Sequence, residues 1–400
     1  MKCWWVIVMA ATVVGCSESE RNGANPAMSD KGALDRPNLL GTPREEARIF
    51  FSGHSLMDRP LPDFVEKVAA SLSTPAQWNR QYVVGSSIQR RTRGLDPNVQ
   101  DWRGYLEGYN REGEGLDVIA ELRAPRTIEA PSYDVFVITE EHTMLEAMIS
   151  GGTIRHLRHF HDRFIEGNAA GTTFFYESWF GVDDKTDPRR WIAYERAASP
   201  IWQCMATRIN ESLENEGRSD RLMSLPAGAA LAELIERATQ GDGLDSITRA
   251  NVFDTVDSII GDDVHLHPLG IYYMSLVTYA SVYQRSPVGA WHPEMVTPAQ
   301  AATLQRFAWD YVSRYYERYR PLTLEMCRER LLSDDGLAPL WAYVREAYWR
   351  KDSSRLRSYA RYARRLFNSR QLLKRADSDN PFYFDPAIDK GYWYPAPVGR

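Results

Sequence analysis

The sequence predicts an α/β fold with a mostly parallel five-stranded sheet covered by helices on both faces. Three observations carry that prediction. Short runs of apolar, β-branched and aromatic residues, bounded by turn formers, recur five times from residue 43 onward. Helical stretches separate them, and strands alternating with helices favour parallel pairing through crossovers. The composition agrees: 44% hydrophobic and 12% aromatic residues, with 26 Gly and 22 Pro among 400, describe a packed chain rather than a fibrous or unstructured one.

Taken in order, the first strand is read at Ala47–Phe51, followed by the helical stretch PDFVEKVAASL. The second is read at Tyr82–Gly85. The third, Asp134–Thr139, leads into EEHTMLEAMISGGTIRHLRHFHDRFIEGN. The fourth, Thr172–Glu177, precedes DPRRWIAYERAASPIWQCMATRINESLENEG, and the fifth, Arg221–Leu225, precedes AGAALAELIERATQG. A further helix starts near Pro268, where a missing N–H costs little. Another follows Thr297 as its N-cap. After Pro321 the composition turns rich in Arg and Tyr, and the terminus is aromatic and irregular. We therefore place the main domain at 43–320 and a helical extension at 321–400. The Arg/Tyr-rich helix at 340–375 is expected to be solvated and docked through a Tyr/Leu stripe. Binding of anionic lipid headgroups, lipopolysaccharide or nucleic acid is the alternative weighed.

The N-terminus reads as an export signal. Met1-Lys2 precedes a short apolar run, and Val13-Val14-Gly15-Cys16 resembles a bacterial lipobox. The expectation is a signal peptide at 1–15, lipidation of Cys16 and a flexible tether over 16–42. Ser17 fits sorting to the outer membrane. The implied partner is a membrane, reached through the lipid anchor. A net charge of −5 gives no overall electrostatic case for nucleic acid. Four Cys are too few for a disulfide scaffold, and spacing alone leaves Cys204 and Cys327 either paired or as two buried thiols.

Ligands of open α/β sheets bind at the carboxyl ends of the strands. There the first strand runs into Phe51-Ser52-Gly53-His54-Ser55-Leu56. A Ser at a strand tip, ahead of a helix, presents a hydroxyl where backbone N–H groups converge. Such a Ser needs a base, and the base needs an orienter. The segment Gly261-Asp262-Asp263-Val264-His265-Leu266-His267-Pro268 supplies both. An Asp three residues before a His in a turn places both on one side. Asp262 and His265 are the preferred pair, with Asp263 and His267 as the competing assignments.

Together, G-x-S-L after the first strand and D-x-x-H after the fifth resemble the SGNH (GDSL-type) hydrolase superfamily, over roughly residues 43–290. The resemblance implies a flavodoxin-like three-layer sandwich. It implies Ser55 as nucleophile, His265 as base, Asp262 as orienter and no cofactor. It further implies an oxyanion hole from the Ser55 N–H, a Gly after the second strand, which Gly85 matches, and an Asn after the third. That Asn is absent: the chain reads Ile138-Thr139-Glu140-Glu141-His142. Losing one such donor costs about 3 kcal/mol of transition-state stabilisation. Thr139 is the expected substitute, whereas an ionised Glu140 would repel the developing charge.

Glu177 and Trp179 end the fourth strand and are expected to contact substrate, with Trp179 as a platform for a sugar ring. Trp102 and Trp191 are expected in the core or at its rim. His156, His159 and His161 invite a metal reading, but at about 100° per residue His161 leaves the face shared by the other two. A packed or solvated helix face is expected instead, with no metal. The function expected is a secreted serine esterase acting on a small-molecule or carbohydrate ester. The rivals are an O-acyltransferase on the same triad and a non-catalytic lipoprotein that binds glycan or a partner protein.

Overall fold

The computed structural model describes residues 43–95, 101–387 and 389, so the expected leader, Cys16 and tether lie outside the described residues. Five strands, β1 (Ala47–Gly53), β2 (Ala76–Tyr82), β3 (Val135–Thr139), β4 (Thr172–Tyr176) and β5 (Leu222–Leu225), form one sheet in the order β2-β1-β3-β4-β5. Every pairing is parallel. This is the flavodoxin-like order, whose direction reverses between β1 and β3. β3 is apolar and buried along its length, as a strand covered on both faces must be. The registers Gly53↔Tyr82, Ser52↔Ile138 and Thr139↔Tyr176 bring the carboxyl ends to one edge.

β2 lies where sequence patterning missed it. The expected strand at 82–85 is the turn after β2, and Gly85 adopts φ +54° there. The strand itself, AQWNRQY, looks too polar. Most of its buried polar groups find partners in the fold around them. Asn79 Oδ1 accepts from Arg111 N at 3.1 Å. Arg80 pairs with Asp58. Gln81 accepts from Ser52 Oγ at 3.0 Å and donates to the Gly104 carbonyl at 2.8 Å.

The helices between and after the strands are α1 (Leu61–Ser71), α2 (Ile88–Arg93), α3 (Val118–Arg123), α4 (Thr153–Gly167), α5 (Arg189–Asn215), α6 (Ala227–Thr239), α7 (Val252–Asp257), α8 (Pro268–Tyr283) and α9 (Pro298–Arg318). α1 steps from β1 outward to β2, whereas α4 and α5 step the other way. Right-handed crossovers therefore put α1 on one face and α4 and α5 on the other. α8 packs against α1 and α9 and is apolar all round, as a helix covered on several sides must be. α9 opens with a capping box between Thr297 and Gln300.

The region after residue 320 is helical and packs on the main domain. α10 (Leu324–Leu332) and α11 (Leu337–Val344) lie against α5, and a π-helical turn, Arg345–Trp349, and α12 (Arg355–Leu373) follow. Cys204 on α5 and Cys327 on α10 are joined by a disulfide. The segment 340–375 is divided rather than one helix: Leu340 and Tyr343 of α11 are buried against the main domain, whereas α12 is largely solvated and buries no Tyr. Its buried residues are Ser358, Ser369 and Leu373, and Leu356 and Phe367 face solvent. The tyrosines are used otherwise: the Arg345 guanidinium lies 4.0 Å from the Tyr359 ring centroid and 5.2 Å from that of Tyr362. No helix among the described residues is long and apolar enough to cross a membrane.

Candidate active site

Ser55 stands just past β1, beside the reversal of strand order, in a single 3-10 turn (Ser55–Met57). The turn is braced by His54. Its Nε2 lies 3.0 Å from the Glu140 carbonyl, which can only accept, so Nε2 carries the proton and Nδ1 accepts from Leu56 N. Burial pushes the His54 pKa down to about 3, so the ring is neutral.

Beneath it runs a buried polar network. Arg91, fully buried on α2, donates to Ser52 Oγ at 3.0 Å, to Ser86 Oγ at 2.9 Å and to the Thr139 carbonyl. It thereby ties the ends of β1, β2 and β3 together. Burial lowers its pKa to about 10, which leaves it charged at neutral pH.

His265 approaches from the turn before α8. Its Nε2 is 2.9 Å from Ser55 Oγ and its Nδ1 is 2.7 Å from Asp262 Oδ2. The carboxylate accepts, so Nδ1 bears the hydrogen and the Nε2 lone pair faces the Ser55 hydroxyl. Asp262 Oδ1 accepts from the backbone N–H of Val264 at 2.8 Å and of His265 at 2.6 Å. Burial works to raise the Asp262 pKa, but the His265 and Val264 donors outweigh it and hold it at about 2. The pair is open to solvent, with side-chain exposures of 50% for His265 and 56% for Asp262. The competing pair is placed elsewhere. The His267 ring packs over Gly261, and the Asp263 carboxylate lies toward Gly181.

The loop after β4 clamps this turn. Trp179 Nε1 donates to the Val264 carbonyl at 2.7 Å. Val182 N donates to the Asp263 carbonyl at 2.7 Å, and Lys185 Nζ donates to the carbonyls of Ile260 and Gly261 at 2.7 and 2.8 Å. These contacts correct three expectations. Trp179 is 1% exposed and holds the His265 turn from behind, so it offers no face to a sugar. Glu177 is also 1% exposed and accepts from Ser199 and Ser224 at 3.1 and 3.0 Å, out of reach of substrate. The Thr139 hydroxyl is buried and donates to the Tyr176 carbonyl at 2.8 Å, so it is unavailable as an oxyanion donor.

Glu140 is likewise committed internally. Its carboxylate accepts from Ile88 N at 2.9 Å, Glu141 N at 2.8 Å and Thr153 Oγ1 at 2.6 Å, and burial raises its pKa to about 7. Sequence reasoning passed over His142, two residues further. It is half-buried, with its ring 6.5 Å from that of His54, 6.1 Å from Phe180 and 6.3 Å from Tyr348. The signal was present in the TEEH segment after β3, but it was read only for a missing Asn.

The three helix histidines serve packing. His159 stacks on Trp102 and bonds Tyr105 Oη at 2.7 Å, His156 packs edge-on to Trp102, and His161 sits between Thr173 Oγ1 and Asp220. Trp191 is in the core.

No protein-family model and no curated protein matches this chain. Among solved structures, it is similar to a DUF4886 family protein from Bacteroides uniformis ATCC 8492. The two share 11% identity and a TM-score of 0.45, over 69% of this chain and 98% of that one. None of these comparisons points to the SGNH superfamily.

Proposed function

We propose that the protein is a serine esterase of SGNH type. The observation that carries this reading is His265 bridging Ser55 Oγ and Asp262 Oδ2 at 2.9 and 2.7 Å, in the tautomer a general base requires. Ser55 Oγ attacks the ester carbonyl while His265 Nε2 takes its proton. The tetrahedral intermediate collapses, the C–O bond to the alcohol breaks, and the imidazolium returns the proton to the leaving oxygen. A water, deprotonated by the same nitrogen, then releases the acid. Asp262 stays ionised throughout and supports the imidazolium.

The oxyanion donors are the N–H groups of Ser55 and Gly85, neither of which has an acceptor among the described residues. The positive φ of Gly85, where a Cβ would be strained, aims that turn. His142 is the third donor in place of the missing Asn. Burial lowers its pKa, with Asp263 opposing and His265 adding to the effect, and a neutral imidazole N–H can donate. Export and lipidation at Cys16 complete the reading, and acyl groups on the N-terminal peptide of the mature protein test them by mass spectrometry.

A fluorophosphonate probe tests the activity. We expect stoichiometric labelling of Ser55 in the wild type and loss of labelling in His265→Ala. A folded wild type that stays unlabelled and leaves 4-nitrophenyl acetate intact overturns the proposal.

A further inference from the structure

The face of α12 that points away from the protein is unlike that of an ordinary solvated helix. At about 100° per residue, Leu356, Ala360, Ala363 and Phe367 fall on one line, spaced i, i+4, i+7 and i+11. A surface helix turns such a stripe inward and buries it. Here it is turned outward: Leu356 is 83% exposed and Phe367 63%, and both alanines are exposed. The buried positions are instead Ser358, Ser369 and, in the last turn, Leu373. α10 and α11 hold the helix, so the apolar line is left without a partner among the described residues.

Arginines border that line. α12 carries six of them and no acidic residue in its 19 positions, in a chain whose net charge is −5. On the helical wheel Arg357 and Arg364 lie along one side of the stripe, and Arg370 lies along the other beside the exposed Tyr359. Arg355, Arg357 and Arg364 are exposed and have no carboxylate partner among the described residues. Arg361 and Arg365 are drawn to Glu146, and Arg370 to Asp334. Every cation of the helix is an Arg, whose planar fork matches phosphate oxygens.

We infer that this outward face is a membrane-docking surface for a bilayer that carries anionic phospholipid. Leu356 and Phe367 enter the boundary between headgroups and acyl chains, and Arg357, Arg364 and Arg370 meet the headgroup phosphates. The occupant follows from the two chemistries together. A second copy of the chain would cover the apolar line, but it would set six arginines against six with no carboxylate on either helix. A nucleic-acid duplex would pair with the arginines and leave Leu356 and Phe367 in water. An anionic bilayer surface takes both. The inference stands apart from the esterase reading and from lipidation at Cys16, because the helix meets the membrane through its own side chains.

Vesicle binding tests this on the mature chain, produced from residue 16 with Cys16→Ser so that no acyl anchor contributes. Co-sedimentation is measured with phosphatidylcholine vesicles with and without about 30% phosphatidylglycerol. We expect the anionic vesicles to be bound about tenfold more tightly or better, and high salt to remove the difference. Arg357→Gln with Arg364→Gln should weaken that binding about twentyfold, roughly fivefold per arginine. Leu356→Ser with Phe367→Ser should weaken it about tenfold with an unchanged Tm, since both positions are exposed. Equal binding to the two kinds of vesicle, or binding unmoved by either folded double variant, overturns the inference. A solution dimer that Leu356→Ser with Phe367→Ser dissociates also overturns it and gives the face to a second copy. A DNA duplex bound more tightly than the anionic vesicles, and unaffected by that pair, overturns it in favour of nucleic acid.

Discussion

The two halves of the triad are held in opposite ways. Ser55 rests on a buried floor, where Arg91 ties three strand ends and His54 is locked to the Glu140 carbonyl. Asp262 and His265 stand half in water on a turn fixed from behind by Trp179, Val182 and Lys185. Ser55 therefore takes its position from the sheet itself. His265 takes its position from a loop that belongs to another strand. The floor beneath Ser55 should be hard to perturb without unfolding, and the Asp262–His265 turn should tolerate change with little loss of stability.

Removing the reacting groups gives the largest effect. Ser55→Ala and His265→Ala should each lower kcat by about 10⁴-fold or more with near-native melting temperatures, measured on 4-nitrophenyl acetate beside thermal unfolding. Next comes the floor. Arg91→Ala strands several buried acceptors and should cost about 3–5 kcal/mol, read as a fall in Tm of roughly 10 °C. A Tm within two degrees of wild type would erase the contrast between the halves. Trp179→Phe keeps the ring and removes the bond to the Val264 carbonyl. It should lower kcat about tenfold at constant KM, with a Tm loss of only a few degrees.

The smallest effect is a pH slope. Burial raises Glu177 to about 8, with Ser199 and Ser224 pulling the other way, and raises Glu140 to about 7. Between the ordinary carboxyl range and those values, the folded state keeps protons the unfolded chain has released. Stability contributed by these groups is present at acid pH and is lost as pH rises toward 8. Glu177→Gln imitates the protonated form, so it should flatten the decline and raise Tm by a few degrees at pH 8 but not at pH 5.

Much of the sheet and the triad was legible in the sequence because local patterns encode them. An apolar strand ending in a small residue and Ser, and an Asp three residues before a His, are short-range signals. The rest depended on contacts between distant segments. AQWNRQY conceals a strand because its polar side chains find partners only in distant segments, such as Ser52, Asp58, Gly104 and Arg111. Trp179 looks the same in a sequence whether it faces a ligand or pegs a turn, and only its bond to Val264, 85 residues away, distinguishes the two. The ring cluster around His142 needs residues near 54, 180 and 348 in one place, which no local pattern announces.

The Cys204–Cys327 disulfide gives that long-range assembly a covalent anchor. It closes a loop of 123 residues that contains Asp262 and His265, and it pins α10 to α5. Breaking this link removes the covalent tie from the segment that carries Asp262 and His265 as well as from the extension packed on α5. In a reduced chain that segment and the extension are held by packing alone, and the covalent lock forms only where thiols can be oxidised.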